Sequence, residues 1–241
     1  NLGGSNFFRN SQMDNVASDA SNGNGISLIN TTTPLTLFSV EDSFFANSPS
    51  QTSHVLSSAQ GSGNVRLDVR RSIFQNLVAL AVQSNAGDVE GATHTVTTNI
   101  VDNVFRNASI NNGQGSMAVT NAEQSATHNF TVSNNLLEDL SKGIAGGNAE
   151  ILLTQTVGGG LNGTVSGNIL GTATAGNGDR RGLGTVSEPD ISANGELGSV
   201  DIIYDGNTVD RLLSREGGFV DLREDTQNSE LIVRNNNFGQ L

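Results

Sequence analysis

One phrase recurs along the whole chain: a polar residue, two apolar residues, a variable residue and a polar residue. It reads Asn6-Phe7-Phe8-Arg9-Asn10, Ser43-Phe44-Phe45-Ala46-Asn47, Ser72-Ile73-Phe74-Gln75-Asn76, Asn103-Val104-Phe105-Arg106-Asn107, Asn135-Leu136-Leu137-Glu138-Asp139, Asn168-Ile169-Leu170-Gly171-Thr172, Asn207-Thr208-Val209-Asp210-Arg211 and Asn236-Asn237-Phe238-Gly239-Gln240. The first residues of these phrases, the anchors, follow one another at 37, 29, 31, 32, 33, 39 and 29 residues. A recurring phrase whose spacing varies by whole loops restricts the chain to a stack of similar units, none able to bury its apolar face alone.

The columns around the anchor set the secondary structure. Three residues before it stand Val40, Val69, Ile100, Val132, Val165, Tyr204 and Val233. Two after it stand Phe8, Phe45, Phe74, Phe105, Leu137, Leu170, Val209 and Phe238, the expected core stack. Polar residues alternate with apolar ones upstream, as Arg66, Asp68 and Arg70 do with Val65, Leu67 and Val69. Period two is the signature of strands with one buried face. The alternation breaks at the anchor, and Asn tolerates a left-handed backbone, so the anchor is expected to mark a bend between two strands. Four residues past it, Asn10, Asn47, Asn76 and Asn107 align as a structural amide ladder joining coil to coil. A further strand follows in each unit at Ile26-Ser27-Leu28, Leu80-Ala81-Val82, Met117-Ala118-Val119, Ile151-Leu152-Leu153, Val186 and Phe219-Val220. Outward charges are expected to pair between coils as Glu41 with Arg70, Asp205 with Arg234, and Arg106 with Glu138. The reading is an all-β parallel solenoid of about seven coils, one domain over residues 1–241, and roughly 34 Å long at the strand spacing of a sheet.

Composition excludes several functions. Against 24 Asp and Glu stand 12 Lys and Arg, of which only Lys142 is lysine, and no stretch gathers the basic residues that phosphate backbones need. Nucleic acid is therefore not an expected partner. No apolar run approaches the roughly 20 residues that span a bilayer, so no membrane insertion is expected. There is no cysteine to form a disulfide. Thirty Asn and 29 Gly make the chain turn-dense. Its ends fall within coils without a cap, which suggests a segment of a longer solenoid or a subunit whose ends stack on neighbours.

Asn at a tight corner beside stacked aliphatic and aromatic interiors resembles the right-handed parallel β-helix proteins, the pectin-lyase-like superfamily. In character the chain is most similar to the bacterial surface and adhesin members. The resemblance covers the whole chain as a repeat pattern, so it implies the fold more strongly than an activity. It implies a secreted or cell-surface, bacterial protein. The superfamily also holds polysaccharide lyases, glycoside hydrolases and phage tailspikes that bind glycans. The paired Asp-Asp and the Gly-His-Gly of its hydrolases do not occur here.

The remaining candidates are few. Asp201 and Asp205 project from one strand face, with Glu230 expected beside Asp201 one coil on, a weak carboxylate site for which Ca²⁺ would be the cofactor. His94 and His128 stand in similar phrases one repeat apart without a ligand partner at metal spacing, and with His54 read as structural. Gly176-Asn177-Gly178-Asp179 reads as a turn, and the outward column Glu41, Arg70, Val101, Ser133, Ser166, Asp205, Arg234 is too irregular for an ice-binding array. Residues 173–198, carrying Arg180, Arg181, Glu188, Asp190 and Glu196, form the longest excursion, with 11–25 and 108–116 shorter. One Tyr, no Trp and a mostly inward Phe set leave little to stack on sugar rings. The expectation is a non-catalytic extracellular rod: a stalk, adhesin segment or filament building block without catalytic residues or a required cofactor. Its partners would be other β-helix segments or copies of itself, stacked end to end or laterally, with glycans as a further class. The alternative is a carbohydrate-active β-helix, a lyase, hydrolase or tailspike-like binder.

Overall fold

The computed structural model describes residues 3–14, 25–31, 33–48, 53–77, 80–87, 94–107, 109–110, 117–121, 125–138, 141–142, 151–155, 158–171, 183–187, 198–211, 220–223 and 228–240. The repeats lay strands into three long sheets of eight, eight and seven strands, with a short two-stranded sheet of Ser109–Ile110 and Ser141–Lys142 beside them, and every neighbouring pair is parallel. The first sheet holds Gly4–Arg9, Leu35–Glu41, Val65–Arg70, Thr95–Val101, Thr127–Ser133, Gly160–Ser166, Ser199–Asp205 and Asn228–Arg234. The second holds Gln12–Asp14, Phe44–Ser48, Ile73–Leu77, Val104–Arg106, Leu136–Glu138, Ile169–Leu170, Thr208–Arg211 and Asn237–Gln240. The third runs through Ile26–Asn30, Val55–Ala59, Val82–Ala86, Met117–Asn121, Ile151–Gln155, Leu183–Ser187 and Val220–Arg223. Strand order in every sheet is chain order, so each coil pairs only with the coil before and after it. The chain is a parallel β-solenoid.

Alternation along the strands sends one set of side chains into a single continuous core. Thr95–Val101 and Thr127–Ser133 are buried at every second residue, the outcome of period-two patterning on a one-sided sheet. Val40, Val69, Ile100, Val132, Val165 and Tyr204 are fully buried in one column of the first sheet. Phe45, Phe74, Phe105, Leu137, Leu170 and Val209 fill the facing column of the second. The rings of Phe45 and Phe74 lie 4.8 Å apart at 7°, those of Phe74 and Phe105 5.0 Å apart at 6°. Equal residues at equal positions, one strand spacing apart, leave the rings no other packing.

The bend between the first two sheets lies one residue earlier than the repeat suggested. The left-handed residues are Asp42, Arg71, Asp102, Asn134, Gly167, Gly206 and Asn235, each immediately before the anchor, with φ between 49 and 66°. A second left-handed position comes at the end of the second-sheet strands at Asn47 and Asn76 and just past Val104–Arg106 at Asn107, with φ of 55, 54 and 51°. The anchors themselves turn inward.

The first repeat is also out of register with the phrase that marked it. Phe8 pairs with Val40 and Arg9 with Glu41, so Ser11, not Asn6, is the first anchor. Met13 accordingly occupies the column of Phe45, and Gln12–Asp14 is a strand of the second sheet. Phe8 therefore leaves the expected stack for the neighbouring column, although its ring still tilts against Phe45 at 5.7 Å. Asn10 is the left-handed residue before this anchor, with φ 48°, and so does not belong to the column of Asn47. The two apolar residues Phe7 and Phe8 mimic the phrase, but strand pairing follows the inward columns of the whole coil. With Ser11 as anchor the first spacing becomes 32 residues instead of 37.

Candidate functional site

The most developed polar constellation is the anchor column itself. Asn103, Asn135, Asn168 and Asn207 are at most 1% exposed, and they form a ladder through the core. The side-chain NH₂ of each donates to Oδ1 of the next: Asn103 to Asn135 at 3.1 Å, then Asn135 to Asn168, Asn168 to Asn207 and Asn207 to Asn236 at 2.9 Å. The same Oδ1 atoms accept the backbone N–H of the preceding anchor, at 2.8 to 3.1 Å. The second amide hydrogen reaches back to a strand carbonyl of the preceding coil, as from Asn103 to Val69, Asn135 to Ile100 and Asn168 to Val132. Two donated and two accepted bonds saturate the amides of Asn135, Asn168 and Asn207. The column continues through serines: Ser72 N–H donates to Asn103 Oδ1, Ser43 N–H to Ser72 Oγ, and Ser11 N–H to Ser43 Oγ. A buried polar column without unmet bonds holds the coils in one register.

The expected ladder four residues on lies at the exposed second left-handed position. Asn76 donates to Asn47 Oδ1 at 2.8 Å, Asn47 donates to Asp14 Oδ1 at 2.7 Å, and Asn107 follows in the column. Of the expected charge pairs, Arg234 meets Asp205 at 3.0 Å. Glu41 and Arg70 are register neighbours, but Glu41 is taken by Arg9 at 3.1 Å and Arg71 at 3.4 Å. Arg70 turns to Asp68 at 2.7 Å, and Arg66 grips the same carboxylate with two bonds of 3.0 Å while Asn99 adds a third donor. Burial acts to raise the Asp68 carboxyl, but the hydrogen bonds of Arg66 and Asn99 and the charges of Arg70 and Arg66 outweigh it and hold it below its ordinary value. Arg106 donates to Gln75 Oε1 at 3.0 Å, one coil before it, and not to Glu138, one coil after it.

The candidate cation site does not assemble. Asp201 stands beside Glu230, whose backbone N–H donates to Asp201 Oδ1 at 3.2 Å. Asp205 is occupied by Asn235 at 2.9 Å and by Arg234, in that order the causes that lower its pKa. Four residues of strand set Asp201 and Asp205 about 13 Å apart, beyond the reach of one ion. Among the described residues no three His, Cys, Asp or Glu gather as metal ligands. No protein family, curated protein or solved structure matches the chain in comparison.

The histidines lie within the solenoid wall. His94 pairs with Ala126 and His128 with Val96, so the similar phrases around them sit two residues out of register. The His128 ring, fully buried, bonds Thr98 Oγ1 at 2.9 Å and the Thr120 carbonyl at 3.0 Å, and Thr98 in turn bonds Ser84 Oγ at 2.7 Å. Burial pushes its pKa down to about 4 against a smaller opposing pull from the Thr120 carbonyl, with the nearby His94 adding to the fall. His54, 2% exposed, stands edge-on to Phe45 at 5.8 Å, and neither ring nitrogen is hydrogen-bonded among the described residues. Burial pushes it down to about 4 as well. The excursion at 173–198 is interrupted by the strand Leu183–Ser187. Arg180, Arg181, Glu188, Asp190, Glu196 and Phe219 lie outside the described residues.

Proposed function

We propose that the chain is a non-catalytic rod of the pectin-lyase-like β-helix kind, serving as a stalk or adhesin segment on a bacterial surface. The observation that carries this reading is the saturated Asn and Ser ladder. Its polar groups are spent on joining coil to coil, so that a pull or shear between neighbouring coils must break side-chain bonds together with the strand ladder. Of the outward carboxylates, Asp68 and Asp205 are each paired with arginine and stand on strands four coils apart, and the adjacent Asp201 and Glu230 are joined by a backbone N–H. An extended, rigid, repetitive body is what separation of a binding tip from a cell envelope requires.

Force spectroscopy on the chain held at its two ends tests the mechanical part. The expected record is stepwise rupture at forces lowered by Asn168→Ala. A polysaccharide depolymerisation screen tests the other part: release of reducing ends or unsaturated sugars from any substrate would overturn the non-catalytic reading. Surface location is tested by protease shaving of intact source cells.

A further inference from the structure

The apolar pair of each repeat divides between the two faces of the second sheet. Residues two past the anchor fill the core, so those one past it point outward. In register along the rod these are Phe44, Ile73, Val104, Leu136 and Ile169. None of the five belongs to the core cluster or to the apolar residues packed against it. Ile169 is 50% exposed and the other four are partly exposed. The outward columns of the first sheet in the same coils carry Ser, Thr, Asn, Arg and carboxylates apart from the isolated Leu37 and Val101, so five consecutive apolar residues form a stripe and not scatter.

The stripe has a charged rim. Two residues before it run Asp42, Arg71, Asp102 and Asn134; two residues after it, Gln75, Arg106 and Glu138. Asp102 is exposed and Arg106 partly so, and neither is ion-paired among the described residues. Opposite charges thus flank Val104 at the centre of the stripe.

We propose that this stripe docks against the same stripe of a second copy, the two rods side by side and pointing the same way about a twofold axis parallel to their length. In that arrangement each stripe residue meets its own counterpart, and the residue two before it meets the residue two after it on the other copy. Asp102 faces Arg106 of the second copy, and the reciprocal pair forms by symmetry. Asn134 opposes Glu138 and Arg71 opposes Gln75 in the same way. Reversing one rod would set Asp102 against Asp102 and Arg106 against Arg106, so the rim charges select the parallel arrangement. A patch about 24 Å by 13 Å at strand dimensions is well below the roughly 800 Å² per partner of a standard stable interface. The pairing of two free rods is therefore weak, and it strengthens when rods are tethered side by side. This surface goes beyond the stalk reading and stands on the stripe alone.

Sedimentation equilibrium of the 241-residue chain, taken to near-millimolar concentration, tests it. The expected result is a reversible monomer–dimer equilibrium that Leu136→Glu weakens by at least about tenfold, the effect of charging a central anchor. Asp102→Arg and Arg106→Asp each weaken it too, because like charges then face each other twice. Mixed in equal amounts, these two variants associate again, since each offers the other the missing charge. Both substitutions suit the fold: Arg71 occupies the corner equivalent to Asp102, with φ 49° against 59°, and Glu138 stands in the column of Arg106. Circular dichroism checks that the variants keep wild-type structure. A wild type that stays monomeric, a dimer indifferent to Leu136→Glu, or a mixture no more associated than its components would each overturn the proposal.

Discussion

Asn168 shows what a single side chain can hold together. Replacing it with alanine leaves the Asn135 backbone N–H, the Asn135 side-chain amide and the Val132 carbonyl each short of a partner. Buried groups left unmet cost about 1–3 kcal/mol apiece before relaxation. Asn168→Ala is expected to lower stability by on the order of 3 kcal/mol in urea unfolding. Asn76 offers the contrast: its amide bond is exposed and its backbone is left-handed, with φ 54°. Asn76→Gly keeps that backbone conformation and should change stability by less than about 0.5 kcal/mol. Both residues were visible as repeated Asn in the sequence. Their depth was not, because the same residue type serves a left-handed corner and a buried ladder, and only strand register tells them apart.

At the scale of an element, the columns decide which substitutions a strand accepts. Phe74 lies between two stacked rings and is fully buried. Phe74→Ala is expected to cost about 3–5 kcal/mol, whereas Phe74→Leu should cost under about 1.5 kcal/mol, since Leu137 and Leu170 already fill the same column. Gly163 marks the opposite limit. Phe130 packs over it from the neighbouring strand, and a Cβ at Gly163 would collide with the Phe130 carbonyl oxygen and stand 2.7 Å from its ring. Gly163→Ala should therefore destabilise by about 1–3 kcal/mol, the usual cost of overpacking, measured by the same unfolding assay. Period two made these strands and their inward columns legible. The slip in the first repeat arose where a local phrase, Phe7-Phe8, matched the pattern while the longer alternation through Asn6, Phe8 and Met13 belonged to another register.

Across the whole molecule, acid is expected to weaken the fold in two stages. His54 and His128 titrate near 4 when folded and near 6.5 when unfolded, so the unfolded chain binds their protons more readily. Their contribution is complete above about 6.5 and falls as the pH drops from there towards 4, by up to about 1.4 kcal/mol per pH unit for each ring. The lowered carboxylates Glu41, Asp42, Asp68 and Asp205 act in the other interval. Their stabilisation is present above the ordinary carboxylate value and is lost only as pH falls below it. Urea midpoints measured between pH 7.5 and 4.5 should decline, and His54→Leu should remove about half of the slope. An unchanged slope in that variant would show that His54 does not titrate in this range.

The sequence alone determined the architecture: a strand-period pattern repeated every thirty-odd residues can bury its apolar face only by stacking, and stacking in parallel follows from one chain direction per coil. It also placed most core columns, because hydrophobic alternation and pleat share one period. Tertiary structure decided everything that depends on register between coils. Pairing, not spacing, put the anchors inside and their predecessors at the left-handed corner, and brought Arg9 and Arg71 onto Glu41, which left Arg70 to Asp68. Pairing also aligned the outward residue of each apolar pair into a continuous stripe. Such outcomes rest on neighbours about 4.8 Å away across strands but some thirty residues away along the chain, a distance over which a linear pattern carries no directional information.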